Sequence, residues 1–440
     1  MTPPSTIADP VAFTTHWLGL VSLAIFAAAY ALVFVEEAID LRKSKPMVVA
    51  AGAMWILIGA VFAGRGLGTT AETALHGVML EFGELLLFLI VALTYVKAIE
   101  ERRVFEALRG WLVRLGFSYR TLFWVTGGLA FCLSPLVDNL TTALVMSSIV
   151  IAVGADAPRF VSLSCINIVV AANAGGAFSP FGDITTLMVW QKGVVAFPEF
   201  LALFVPALVN ALVPAALMHL ALPAGRPAPS SEAIAMRPGA SWVVGLFAIT
   251  VAMTVFVHSV LHLSTALGMM TGLGLLMLYD FWLRRRARRT GTHHPFEVFH
   301  RLADVEWDTL LFFYGVMMCV GALSLLGYLT LVSHLLYAQW GPTTGNILIG
   351  AASAVFDNIP LMFAVLTMQP DMSHGQWLLV TLTAGVGGSL LAIGSAAGVA
   401  LMGQAKGVYT FAAHLRWMPA ILLGYAASIA VHLWLNRGLF

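Results

Sequence analysis

Two acid–amide pairs, Asp138-Asn139 and Asp357-Asn358, each stand inside an apolar run long enough to reach into a bilayer. The first lies in Ser134-Pro135-Leu136-Val137-Asp138-Asn139-Leu140-Thr141-Thr142, the second in Ser353-Ala354-Val355-Phe356-Asp357-Asn358-Ile359-Pro360. A carboxylate at the centre of a membrane helix costs roughly 2.5–3.5 kcal/mol on insertion scales, so such a residue marks an ion or proton pathway. Each pair is followed by a further apolar stretch broken by two glycines, Gly175-Gly176 in the first half and Gly387-Gly388 in the second. Acids beside interrupted helices, met twice in one chain, are the pattern of a duplicated transporter with its site near the bilayer midplane.

Around the first break the chain reads Asn173-Ala174-Gly175-Gly176-Ala177-Phe178-Ser179-Pro180-Phe181-Gly182-Asp183-Ile184-Thr185-Thr186. Glycine and proline interrupt the helical ladder there and free backbone carbonyls, which is tolerated at depth only where backbone lines a cavity. Those carbonyls, the carboxylates of Asp138 and Asp183, the amides of Asn139 and Asn173 and the hydroxyls of Thr141, Ser179, Thr185 and Thr186 are hard oxygen donors. Hard oxygens suit alkali cations. Asp183 has a second reading, as the cap of a half-helix that follows Pro180. The second half is poorer in oxygen: it offers Ser353, Asp357, Asn358, Ser389 and Ser395, with no carboxylate answering to Asp183. One principal site, dominated by the first half and completed by the second, is expected; Asp357 has the alternative role of holding its own turn.

Glu84 lies within Leu85-Leu86-Leu87-Phe88-Leu89-Ile90 and His76 stands eight residues earlier, a little over two helical turns. They read either as a proton relay or pH-sensing pair, or as a packed glutamate with an interfacial histidine. His219, His258, His262 and His432 fall near expected span ends and read as interfacial. The three cysteines are scattered in apolar segments without metal spacing, and the 19 methionines form no helical stripe. There is no HExxH, no nucleophile elbow and no cofactor motif, so an enzyme is not expected and no cofactor is called for; the glycine-rich stretches lack the strand–turn–helix context of a phosphate loop.

The elements that must carry these residues follow from composition. Of 440 residues, 60% are hydrophobic and 10% charged. Soluble domains carry about 25% charged residues, so the partner of this surface is a lipid bilayer and not nucleic acid. About 20 apolar residues cross a bilayer. Spans are expected near 17–35, 47–64, 78–97, 160–191 and 199–221, and again near 241–260, 264–283, 308–327, 376–405 and 416–435. Between the third and fourth of each set lies one extra segment, 121–153 and 344–369, with the Asp-Asn pair near its middle; each reads as a re-entrant hairpin. The spans carrying the Gly-Gly breaks are too long for one straight helix and read as two half-helices.

The expected fold is therefore an all-α polytopic membrane protein of two inverted repeats, 1–221 and 241–440, each of about five spans with a re-entrant hairpin and a broken helix. A proline-rich linker, 222–240, joins them. Five crossings per half place the halves upside down relative to each other. Charge supports the count: alternate assignment of loops puts twenty of the 23 Lys and Arg on one side and leaves only Arg65, Lys192 and Arg437 on the other. The crowded side is cytoplasmic by the positive-inside rule, which places both termini outside. The run Arg284–Arg289 reads as part of that topology signal, and segments 98–117 and 292–307 as amphipathic interfacial helices.

The stretches SPLVDNLTTALVM (134–146) and NAGGAFSPFGDITTLMVW (173–190) resemble the NhaD-type sodium/proton antiporters of the ion-transporter superfamily. AVFDNIPLMFAVL (354–366) and GGSLLAIGSAAGVALMG (387–403) fit the same family, with Ala392 where the resemblance would place a serine. The resemblance implies exchange of Na⁺ or Li⁺ for H⁺ across a bacterial inner membrane, in the service of pH homeostasis, with Na⁺ held at Asp138, Asn139, Asn173 and Asp183. It also implies a homodimer. Superfamily relatives that carry organic anions have neutral hairpin turns, whereas this chain has Asp138 and Asp357 there. An anion carrier, for arsenite or a dicarboxylate, is the alternative.

Overall fold

The computed structural model describes residues 13–227, 235–290, 302–303 and 305–440. Every regular element among them is helical. The chain runs α1 (Trp17–Phe34), α2 (Ser44–Gly64), α3 (Gly68–Glu101), α4 (Val104–Arg114), α5 (Tyr119–Val137), α6 (Asn139–Val153), α7 (Pro158–Gly176), α8 (Ile184–Gln191) and α9 (Phe204–His219). It continues through α10 (Ala240–Ser259), α11 (Thr265–Thr290), α12 (Trp307–Leu325), α13 (Tyr328–Ser333), α14 (Pro342–Ala352), α15 (Asn358–Met368), α16 (His374–Gly387), α17 (Ala396–Gln404) and α18 (Phe411–Leu435). Among the described residues, ten helices are long and apolar enough to cross a bilayer, and α5 is one of them.

Nine of the expected spans recur among these ten with shifted ends; the one at 376–405 does not, being divided into the shorter α16 and α17, and the tenth is α5, expected as one arm of a hairpin. The third expected span begins at Gly68 instead of 78, because the hydropathy pattern marks only the bilayer-length part of a helix whose polar first turns project beyond it. The expected amphipathic segment 98–117 contains α4, set off from α3 by Arg103 in the left-handed region at φ 57°. Segment 292–307 falls largely outside the described residues, as does the middle of the linker with Pro229.

The chain forms two compact units, each drawing on both sequence halves. One takes the chain up to Leu86 with Glu306–Gly345 and Met362–Asp371. In it α2 packs along α12, where Gly315 has no side chain to hold off the Met47 backbone and Trp55 Nε1 donates to the Met318 carbonyl at 2.9 Å. Ser44 Oγ donates to the carboxylate of Asp308 at the start of the same contact.

The other unit takes Leu87–Val305, Asn346–Leu361 and Met372–Phe440. Its centre is α7, buried along nearly its whole length and wrapped by α5, α6 and α9. α10 and α11 pair through small residues, Thr250 and Thr254 against Gly272 and Gly268. Lipid tails are as apolar as leucine, so close backbone approach through small side chains is what holds helices together in a bilayer.

Equivalent contacts recur in both sequence halves of this unit. Ser134, four residues before Asp138, donates to the Ala172 carbonyl at 2.6 Å; Ser353, four before Asp357, donates to the Ala384 carbonyl at 2.9 Å. A Cβ on Gly175 would collide with the Phe131 carbonyl, and one on Gly387 with the Gly350 carbonyl. Backbone cannot retreat as a side-chain tip can. Gly175→Ala and Gly387→Ala are expected to lose roughly 1–3 kcal/mol by overpacking, read as lower membrane abundance and a lower apparent melting temperature in detergent. Gly52→Ala, which meets open space, is the control that should change neither.

Candidate functional site

α5 and α6 meet at Asp138, the one residue between them. Its backbone sits at φ 71°, ψ 156°, a region that side chains other than glycine rarely occupy. Its carboxylate turns back on its own helix: Oδ1 accepts from the Thr141 amide and Oδ2 from the Thr141 hydroxyl, both at 2.8 Å. An anionic cap of this kind satisfies the free N–H groups of the first turn and sits well with the helix dipole.

α7 stops at Gly176 and α8 starts at Ile184, as the Gly-Gly and Pro180 signals predict. The intervening turn is pinned by Ser179 Oγ donating to the Pro135 carbonyl at 2.8 Å. Thr186 Oγ1, which lies 2.7 Å from the carbonyls of both Ser179 and Asp183, closes it. Asp183 is buried and caps α8, Oδ1 accepting from the Thr185 amide at 2.9 Å and the Thr185 hydroxyl at 3.0 Å. The capping reading of Asp183 is thus realised, and the same side chain does more.

Its second oxygen receives both asparagines of the acid–amide pairs. Asn139 Nδ2 donates to Asp183 Oδ2 at 3.2 Å and Asn358 Nδ2 at 3.1 Å. Asn139 Nδ2 also reaches Asn173 Oδ1 at 3.1 Å, and Asn173 Nδ2 donates to Ser389 Oγ at 2.8 Å. One hydrogen-bonded network therefore joins the break after α5, the break after α7, the start of α15 and the end of α16. Asn173, Asp183, Thr185, Thr186, Ser353 and Ser389 are buried, while Asp138, Asn139, Thr141, Ser179, Asp357 and Asn358 are half-buried.

The carboxylate has about four acceptor positions. All four contacts described here come from neutral donors: Thr185 twice, Asn139 and Asn358. Asp357 holds its own turn, Oδ1 accepting from the Ile359 amide at 3.1 Å. The place of Asp183 in the second half is taken by Ser395, which caps α17 from the same extended backbone (φ −136°, ψ 146°, against −147°, 145° at Asp183). The oxygen-poor second half read from the sequence is visible there as a hydroxyl where the first half has an acid. Half-buried Glu84 and exposed His76 lie on α3 in the other compact unit.

Two residues escaped the sequence reading. His414 and Tyr409 are buried next to Ser389, but a single histidine in an apolar run carries no spacing signal. His432, expected at the interface, is also buried, its ring bonded to the Gly375 carbonyl at 3.0 Å and to the Asn436 amide at 2.9 Å. Its position near the end of α18 gave no hint that residues after the helix fold back over it.

Interrupted membrane helices that converge on one buried carboxylate, with amide and hydroxyl partners from several elements, define a polytopic ion transporter. The sequence profile of the family described as citrate transporter matches residues 11–385. The Na(+)/H(+) antiporter NhaD of Alkalimonas amylolytica is 56% identical over 98% of this chain and 94% of its own length. That of Vibrio cholerae is 54% identical over 97% and 94%. Sodium/proton antiporter 1 of Arabidopsis thaliana is 32% identical over 93% of this chain and 71% of its own length. The chain belongs to this transporter family and, among its members, to the NhaD-type sodium/proton antiporters.

Proposed function

We propose that this chain exchanges Na⁺, or Li⁺, for H⁺ across a bacterial inner membrane, the two contending for Asp183. The convergence of Asn139 and Asn358 on that carboxylate carries the reading. An unneutralised carboxylate at membrane depth is costly, so a form of the site carrying a cation or a proton moves through the bilayer more readily than the bare anion. Alternating access then couples the two ions, because the loaded forms interconvert between inward- and outward-facing states and the empty charged form does not.

The hydrogen-bond geometry says what loading requires. With both asparagines presenting N–H to Asp183, a cation enters only when at least one amide turns its oxygen inward. A proton on Asp183 likewise needs an acceptor, which the same rotation supplies. Because the two asparagines start different helices, α6 and α15, occupancy of one carboxylate acts on both interrupted segments at once. Asp138, Thr141, Asn173, Ser179, Thr185, Thr186 and Ser389 complete the oxygen set, with Ser353 and Asp357 shaping the second break. Glu84 and His76, in the other unit, are read as a proton relay or pH-sensing pair.

The topology goes with this reading. Repeats 1–221 and 241–440, linked by 222–240, lie inverted, the two helix–break–helix segments re-enter the side they left, both termini are periplasmic, and the protein works as a homodimer. The recurrence of the Ser134 and Ser353 contacts supports the duplication. Acidic breaks and antiporter relatives speak against the anion-carrier alternative, and nothing in the relatives' names points to an enzyme.

Ion-jump currents from purified protein on solid-supported membranes test the proposal. Na⁺ and Li⁺ jumps should give currents that vary with pH, and K⁺ and arsenite should give none. Asn358→Ala removes one donor that favours the anionic carboxylate, so protons compete better. The half-saturating Na⁺ concentration should rise about 10-fold, as for loss of one hydrogen bond to a charged group. The rise should shrink toward alkaline pH. A response to K⁺ equal to that for Na⁺, or an Asn358→Ala profile identical to wild type, would reject this site.

A further inference from the structure

His414, in the first turn of α18, and Tyr409, just before that helix, form a buried pair that the exchange site does not include. His414 Nε2 lies 2.8 Å from the Ser389 carbonyl oxygen, and Nδ1 lies 2.8 Å from the Tyr409 hydroxyl. A carbonyl oxygen only accepts, so Nε2 carries the ring proton, and Nδ1 of the neutral ring accepts from the Tyr409 O–H. Ser389 stands just past the end of α16, where the helical ladder stops and carbonyls no longer meet an amide one turn on. The imidazole supplies a donor at that point. The hydroxyl of the same serine accepts from Asn173, whose side-chain oxygen accepts from Asn139, whose amide donates to Asp183.

The two halves differ at this link. Ala177 and Gly385 occupy the places that correspond to Ser389 and Asn173, and they meet only in apolar contact, 3.3 Å from a Cβ built on Gly385. The polar bridge between the broken helices therefore exists on one side alone, the side that His414 backs. We propose that His414 and Tyr409 are positioning residues for the cation site: they fix the interrupted end of α16 so that Ser389 holds Asn173, and through Asn173 the orientation of Asn139 toward Asp183. The inference rests on Asp183 being the shared carboxylate. The pair touches neither cation nor proton; it sets how well the oxygens around them are preorganised, as outer-shell partners do at other ion sites.

Amide replacements separate positioning from packing. A glutamine at 414 places its N–H where Nε2 was, whereas an asparagine reaches only the Nδ1 position. His414→Gln should keep the half-saturating Na⁺ concentration within about 3-fold of wild type, because the hydrogen bond to Ser389 survives. His414→Asn should raise it roughly 10-fold, the scale of losing an outer-shell partner, with maximal rate at saturating Na⁺ and membrane abundance retained. Tyr409→Phe keeps the ring and removes one neutral hydrogen bond, for an expected rise of about 3-fold. The inference is overturned if His414→Asn matches wild type in Na⁺ half-saturation, or if His414→Gln is as impaired as His414→Asn. Should the histidine variants fail to accumulate, an unchanged half-saturation in Tyr409→Phe overturns it instead. Asp183→Asn run alongside keeps the two readings apart. Retained exchange in that variant removes the premise, whereas lost exchange together with wild-type affinity in His414→Asn removes this inference alone.

Discussion

Asp183→Asn should end Na⁺-driven proton release while leaving the protein folded. The substitution keeps the side chain's shape but puts an amide nitrogen where Oδ2 accepts from Asn139 and Asn358, so both of those amides must turn their oxygens toward it. Asparagine is as good an N-cap as aspartate, so its side-chain oxygen keeps the Thr185 amide and α8 keeps its start. What is lost is the group proposed to be neutralised by both ions, and no second acid stands at the corresponding place in the other half, where Ser395 caps α17. Exchange should fall at least about 100-fold, the scale of removing an interaction worth several kcal/mol from a buried charge. Thermal stability should hold or rise, because a carboxylate buried among neutral donors carries a desolvation cost that an amide does not. Everted vesicles loaded with a pH-sensitive dye give the first quantity, and fluorescence-detected melting of purified protein the second. Wild-type exchange in this variant would remove Asp183 from the mechanism. Lost exchange with collapsed stability would mean that the residue only holds the break together.

The breaks, the span order and the oxygen-rich loops are legible in the sequence because each depends on local chemistry. Gly175-Gly176 and Pro180 end α7 where they stand, and Asp138 and Asp357 sit at interruptions because helix interiors in a bilayer have no place for them. Legibility ends where residues far apart must meet. Asp138 and Asp183 look alike in the sequence, yet one turns back on Thr141 and the other gathers amides from α6 and α15. No local rule separates them, since a cap and a ligand are the same residue type beside the same kind of break.

Helix ends illustrate a second limit. A hydropathy window measures the bilayer's thickness and not the helix's length, so α3 starts ten residues before its apolar run does. His414 and His432 show a third. A histidine's burial is set by whichever segment folds over it, the break after α16 for one and, for the other, the first turn of α16 with the residues that follow α18. The equivalence of Ser134 and Ser353 was present in the sequence as a shared offset from the Asp-Asn pairs. It acquires physical meaning only when both are found donating to the carbonyl of an alanine three residues before a Gly-Gly break.

Asp138→Gly should abolish exchange without destabilising the protein, an outcome that few substitutions of a half-buried acid would give. At φ 71°, ψ 156° the native residue occupies backbone space that is essentially reserved for glycine, which costs of order 1–3 kcal/mol. Glycine removes that strain. Against the gain stand the lost cap of α6, worth only a few tenths of a kcal/mol when glycine replaces an acid, and the greater freedom of glycine in the unfolded chain, about 0.4–1 kcal/mol. The balance is stability about equal to wild type or up to roughly 2 kcal/mol above it. Asp138→Ala retains the strain and loses the cap, so it should be the less stable of the two by at least about 1 kcal/mol. That ordering, Gly above Ala, is the signature of strain in the native turn, and melting both purified variants reads it. Exchange decides why the strain is kept. If Asp138→Gly is stable and silent, the acid is held in an unfavourable conformation because its carboxylate serves the cation, with Thr141 keeping it aimed. If it is stable and still exchanges Na⁺ for H⁺, Asp138 is a helix cap and Asp183 carries the ion without it.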